Sequence, residues 1–173
     1  MAKILVVDDQ APNRELLVTL IGYTGHQALE ASDGAEALAI VRAQRPDLVI
    51  SDILMPTMDG YEFVRQLRAD PLVAATEVIF YSAHYREREA RNLAKSCGVT
   101  RVLVKPSEPE EILRVIEQSL QRVPEPIPPP DVDAFDRAHL QVMTDKLSEK
   151  LEDLRATNRR LEALSALNPS GRT

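Results

Sequence analysis

Over the first 122 residues, short apolar runs alternate with longer amphipathic stretches. KILVVDD is an unbroken apolar run ending in two acids, and it reads as a strand covered on both faces. From Pro12 to Tyr23, Leu16, Leu17, Leu20 and Ile21 recur at helical spacing. HQALEA is a second strand. DGAEALAIVRAQ is a helix with Asp33 near its N-cap. PDLVISD is a third strand, and GYEFVRQLRAD a helix stopped at Pro71. TEVIFYSA is a fourth strand. YREREARNLAKSCG is a charged helix with Gly98 in the C′ position. TRVLVKP is a fifth strand, and SEPEEILRVIEQSLQR a fifth helix opened by Ser107 with Pro109 near its first turn. Five strands alternating with five helices predict an α/β fold, a doubly wound five-stranded parallel sheet with helices on both faces. Order 2-1-3-4-5 is one common way to wind such a unit, and the local pattern alone does not fix it.

The pattern changes after residue 122. VPEPIPPPDVD carries five prolines between residues 124 and 130, which no helix accommodates. Residues 123–132 are therefore expected to form a stiff polyproline linker, rising about 3.1 Å per residue. Residues 133–168 then read as one long C-terminal helix, with 169–173 as a tail. Leu140, Leu147, Leu154 and Leu161 recur every seven residues. If these are d positions, the a positions are Thr144, Leu151, Asn158 and Ser165. The stripe predicts a coiled-coil dimer through Leu140, Leu147, Leu151, Leu154, Asn158 and Leu161, with Asn158 setting register. A helix folded back on the first domain is the competing reading. A parallel pair would set Lys150 against Arg155, so parallel and antiparallel pairing both stay open.

Composition narrows the function classes. Net charge is −6 and no basic run is present, which argues against a nucleic-acid surface. The leucine stripe is preceded by an acidic, proline-rich segment where a DNA-binding zipper needs a basic helix. Aromatics are 4% and Trp is absent, so an aliphatic core is expected. The one cysteine, Cys97, excludes an internal disulfide and fits a buried structural thiol in a reducing compartment. No segment reaches the about 18 apolar residues of a membrane span, and the apolar run at the N-terminus is too short for a signal peptide. A cytoplasmic protein is expected.

The candidate chemistry lies at the strand ends. Strand 1 ends in Asp8 and Asp9, strand 3 in Asp52, strand 4 in Ser82 and Ala83, and strand 5 in Lys105 and Pro106. Open α/β sheets bind ligands outside those ends. Three converging carboxylates repel one another and call for a cation. A hard, oxygen-liganded ion such as Mg²⁺ suits them. Such an ion bridging phosphoryl oxygens cancels charge in phosphoryl transfer. Lys105 could hold a phosphoryl oxygen as a point charge, and Ser82 could donate to another. Asp52, at the exit of the central strand, is then the natural nucleophile, because carboxylates form acyl phosphates.

In order and spacing, ILVVDD, DLVISDILMPTMDG, YSA and VLVKP resemble the receiver domain of two-component response regulators. The resemblance covers residues 3 to about 122. It implies a flavodoxin-like order 2-1-3-4-5, Asp52 as phosphoacceptor, and Mg²⁺ bound directly by Asp9 and mainly through water by Asp8. It further implies the backbone carbonyl of Leu54 as a metal ligand, and Ser82, Lys105 and the Ala83 amide on the phosphoryl group. A cis bond before Pro106 and a turn permitted by Gly60 complete the set. The implied partners are a sensor histidine kinase or phosphotransfer protein, and no substrate is turned over beyond the protein's own phosphoryl group. Two departures stand out. The family's aromatic switch position on strand 5 is Val102, and Leu54 and His84 flank the expected path of attacking water, where they would tune phosphoryl lifetime. The chain could equally be the N-terminal receiver of a larger hybrid kinase or cyclase. An aspartyl-nucleophile phosphohydrolase is the rival from another class, but it wants a second Asp where Leu54 stands. A nucleotide-binding domain wants a glycine-rich turn, which DDQAPN lacks.

Overall fold

A computed structural model describes residues 1–83, 87–99, 101–123 and 132–167. His84 and nearly all of the expected polyproline linker lie outside the described residues. Five strands and five helices alternate: β1 (Lys3–Val7), α1 (Ala11–Tyr23), β2 (Gln27–Ala31), α2 (Gly34–Gln44), β3 (Leu48–Ser51), α3 (Gly60–Ala69), β4 (Glu77–Ser82), α4 (Glu87–Ser96), β5 (Arg101–Val104) and α5 (Pro109–Leu120). All strand pairs are parallel, and the sheet order is β2-β1-β3-β4-β5.

Helix starts follow the chemistry of unpaired N–H groups. The Asp33 carboxylate accepts from the Glu36 N–H at 2.8 Å, and Asp59 accepts from the Glu62 N–H at 2.9 Å. Gly98 takes φ 69 after α4, a left-handed end that glycine adopts freely. The start of α5 differs from the expected one. Glu108 is its N-cap, and the Ser107 hydroxyl donates instead to the Val104 carbonyl at 2.6 Å. A serine hydroxyl bonds whichever local backbone group it reaches, and here that is the end of β5.

Alternation along each strand sends side chains to opposite faces. Ile4, Val6, Leu48, Ile50, Ile79, Tyr81 and Leu103 pack with Leu17 and Ile21 of α1 and Ile112 and Ile116 of α5. The other face is less aliphatic than composition suggested. Phe80 meets Tyr61 of α3 edge to face, with ring centroids 5.5 Å apart. The sequence holds four Tyr and three Phe, and Tyr61, Phe63, Phe80 and Tyr81 are all buried. Aromatics are scarce overall, but Tyr61, Phe63 and Phe80 gather where the sheet meets α3, and Tyr81 lies on the opposite face.

Arg68, near the end of α3, is a half-buried cation that serves as a clasp. Its guanidinium donates to the carbonyls of Ala74 and Thr76 at 2.7 Å each, and at longer range to Cys97 at 3.4 Å and Gly98 at 3.5 Å. Those carbonyls belong to the segments leading into β4 and β5, so one side chain stitches two connections. Burial lowers its pKa.

The last element is α6 (Val132–Leu167), a single helix of 36 residues. The chain divides into compact units at Phe135/Asp136, so α6 is described by itself. Its Leu140, Leu147, Leu151, Leu154 and Leu161 are all more than half exposed within the single chain. No helix among the described residues is long and apolar enough to cross a membrane.

Candidate functional site

The parallel ladder runs one residue past three of the strands. The Asp8 N–H donates to the Ala31 carbonyl at 3.1 Å, the Asp52 N–H to Val7 at 2.8 Å, and the Lys105 N–H to Ser82 at 3.0 Å. Alternation therefore continues as well. Asp8 follows Ile4 and Val6, Asp52 follows Leu48 and Ile50, and Lys105 follows Leu103. Each takes the next position on the face that carries Tyr81. Strand alternation that fills the core thus delivers two acids and an ammonium to one rim.

There they meet. Lys105 Nζ lies 2.6 Å from Asp8 Oδ2 and 3.2 Å from Asp52 Oδ2. Each of these two acids gives its other oxygen to a backbone donor. Gln10 N–H donates to Asp8 Oδ1 at 2.9 Å, and Ile53 N–H donates to Asp52 Oδ1 at 2.7 Å. Asp8 is 1% exposed and Asp52 9%. Asp9 is exposed, yet carboxylate oxygens of Asp8, Asp9 and Asp52 lie within 4.8 Å of one another. Arg14 of α1 donates to the Asp8 carbonyl at 2.7 Å, and the Ser51 hydroxyl to the Asp52 carbonyl at 2.7 Å. The backbone under both acids is pinned from the side.

Burial raises the Asp52 pKa; Lys105 opposes that rise and the charge of Asp8 adds to it. Burial works against the charge on Lys105, but Asp52 and Asp8 together outweigh it and its pKa stands above the ordinary value. Lys105 pairs with Asp8 and Asp52, and Asp9 adds a third carboxylate beside them, which leaves excess negative charge on hard oxygen donors. That donor set fits a small divalent cation such as Mg²⁺, and Asp8, Asp9 and Asp52 are the groups to hold it.

Ser82, Ala83 and Leu54 lie at the same strand ends, and Val102 lies further back on β5, opposite Phe80. Ser82 is buried at the end of β4, opposite Val104 in the register, and Ala83 next to it is exposed. Leu54 is buried just beyond Asp52, and Val102 is half-buried on β5. The Lys105–Pro106 bond is cis. Gly60 acts differently from the turn residue expected of it. The left-handed residue of that connection is Thr57, with φ 68. A Cβ on Gly60 would overlap the Asp52 carbonyl oxygen and sit 3.0 Å from Ile53 Cα. The glycine lets α3 start directly against the backbone of Asp52. Arg14 and Tyr81 escaped the sequence reading. Tyr81 gave no local signal, since its place beside Lys105 is set by the β4–β5 register.

The sequence profile described as the response regulator receiver domain matches residues 4–117. This chain belongs to the response regulator receiver family. The receiver is 34% identical to protein PilH of Pseudomonas aeruginosa over 120 residues, covering 69% of this chain and 98% of that one. It is 35% identical to the probable transcriptional regulator ycf27 of Porphyridium aerugineum, covering 70% of this chain but only 49% of that relative. Among solved structures, the receiver superposes on the chemotaxis response regulator CheY4 of Vibrio cholerae with a TM-score of 0.65 at 34% identity, covering 69% and 98% of the two chains. It also matches the signal receiver domain of a histidine kinase from Syntrophus aciditrophicus, with a TM-score of 0.64 at 31% identity, covering 71% and 95%. Helix α6 lies beyond the residues matched by the family profile.

Proposed function

We propose that this receiver accepts a phosphoryl group on Asp52 from the phosphohistidine of a sensor kinase or phosphotransfer protein, in a Mg²⁺-dependent step. An Asp52 carboxylate oxygen attacks phosphorus, an acyl-phosphate P–O bond forms, and the donor P–N bond breaks with its electron pair left on the imidazole nitrogen. The observation carrying this reading is that Lys105 reaches both Asp8 and Asp52 at the exits of three different strands. Lys105 and the Ser82 hydroxyl, with the Ala83 amide, are the groups to hold phosphoryl oxygens. Asp8, Asp9, Asp52 and the Leu54 carbonyl are the groups to hold Mg²⁺, which when bound cancels charge on the transferring group. Leu54 and the residue at 84 tune how soon water removes the phosphoryl group. Val102 leaves β5 without the ring that the family commonly uses there. The protein catalyses only its own phosphorylation and dephosphorylation, and it acts in the cytoplasm.

Intact-mass measurement after incubation with Mg²⁺ and a small acyl phosphate tests this. One phosphoryl adduct is expected on the unsubstituted chain, none on Asp52→Asn, and none when Mg²⁺ is chelated. No adduct on the unsubstituted chain, or an undiminished one on Asp52→Asn, overturns the reading.

The exposed leucine row of α6 supports a further part of the same proposal, that two copies pair through this helix. Phosphorylation would then switch partner binding or dimer state.

A further inference from the structure

We propose that Tyr81 is the positioning residue of the site: its ring is the wall against which the Lys105 side chain is set. The inference rests on the reading of Asp52 as phosphoacceptor, and it concerns a residue outside the acid set.

Among the described residues, Lys105 is the group that pairs with both buried acids, so its placement governs the site. Two carboxylates fix where its ammonium is drawn, but they do not fix how its four-carbon stem reaches them. A lysine stem has many rotamers, and ordering it is entropically unfavourable. The structure supplies the missing constraint. Lys105 Nζ lies over the Tyr81 ring, 5.2 Å from its centroid. That is within reach of a cation–π attraction, which strengthens where water is excluded. Both partners are shielded: Tyr81 is 6% exposed, and the Lys105 side chain 13%.

The placement follows from register. Tyr81 pairs with Leu103 across β4 and β5, and Lys105 is the next residue after Leu103 on that face. The ring therefore sits one layer below the rim, directly inside the position Lys105 occupies. It is itself held by the cluster that includes Ile112 and Ile116 of α5. A smaller or non-aromatic side chain at 81 would keep the strand but remove the flat, electron-rich surface under the ammonium. On the other face of β4, Phe80 meets Tyr61 edge to face and has no part in this arrangement.

A phosphoryl group on Asp52 gives Lys105 a new anion to follow. The ammonium then shifts relative to the ring, and the ring is anchored beside α5. Tyr81 is thus placed to feel the change of charge, on a fold whose β5 carries Val102.

The test uses the full chain with Tyr81→Met, which fills similar space without a ring, and Tyr81→Phe, which keeps the ring. NMR of the Lys105 ε-methylene, assigned with Lys105→Met, reads the contact directly through the ring current. The unsubstituted chain should show this signal shifted upfield. Tyr81→Phe should keep the shift, and Tyr81→Met should lose it. The rate of adduct formation at saturating acyl phosphate should fall about three- to tenfold in Tyr81→Met, with Tyr81→Phe restoring most of it. If Tyr81→Met does not fold, Tyr81→Leu takes its place. An unshifted signal in the unsubstituted chain overturns the proposal, as does an unchanged rate in a folded ring-less variant or an equal loss in Tyr81→Phe. If the chain takes no phosphoryl group at all, the reading of Asp52 fails, and the NMR shift still decides whether Tyr81 positions Lys105.

Discussion

Burial works against a charge on Asp52, Lys105 works for it, and Asp8 works against it; the balance leaves its pKa above the ordinary value near 3.8. An acid whose folded pKa exceeds its unfolded one binds its proton more readily when folded. Its contribution to stability is complete below the unfolded value and is lost as pH rises through the folded one. At neutral pH the ionised Asp52 therefore weakens the fold. Asp52→Asn removes that charge while Asp8 still pairs with Lys105. Without divalent ions at pH 7 it should raise the melting temperature by about 2–4 °C, the effect of ~1 kcal/mol in a chain of this size. The gain should shrink as pH falls through the folded pKa toward 3.8. Thermal melts across that range check it, and a lower melting temperature at neutral pH would contradict the assignment. Asp8, Asp52 and Lys105 were legible in the sequence because a charged residue closing an apolar strand has only the rim to occupy. Tyr81 was not, because KILVVDD and TEVIFYSA look alike to a pattern of apolar positions. Which apolar residue lies under a lysine depends on pairing between strands.

Helix starts show where local reading stops. Asp33 was legible as a cap because the carboxylate and the N–H it accepts from lie three residues apart, whereas Asp59 shows itself as a cap only in the fold. Ser107 looked like a cap but bonds back to β5, since its choice depends on where the strand ends. Gly60 looked like a turn residue, and its role is a close approach between α3 and the Asp52 backbone, a contact no local pattern encodes. Gly60→Ala therefore forces backbone against backbone. It should cost about 1–3 kcal/mol, as overpacking does, and should slow phosphoryl uptake because it displaces the nucleophile's own carbonyl. Urea unfolding and adduct kinetics measure the two effects. Unchanged stability would mean that α3 can retreat from Asp52 freely.

At the scale of the whole chain, alternating strands and helices predicted the α/β class, but order 2-1-3-4-5 needed the resemblance, because periodicity says nothing about neighbours. The leucine row of α6 was legible in full, since heptad spacing is a local property. Leu154→Glu places a charge in the middle of the row, and like charges across a buried seam separate the helices. Sedimentation equilibrium should give about twice the monomer mass for the unsubstituted chain and the monomer mass for Leu154→Glu, with phosphoryl uptake intact. A monomeric unsubstituted chain would refute dimerisation. The rim itself has a bearing on damaged copies. Asp8, Asp52 and Lys105 come from β1, β3 and β5, with β1 and β3 side by side and β5 beyond β4. Only the finished sheet brings them together, so a copy that has lost its edge strand loses its lysine while keeping its acids. Such a copy keeps two buried acids without the ammonium that pairs with them.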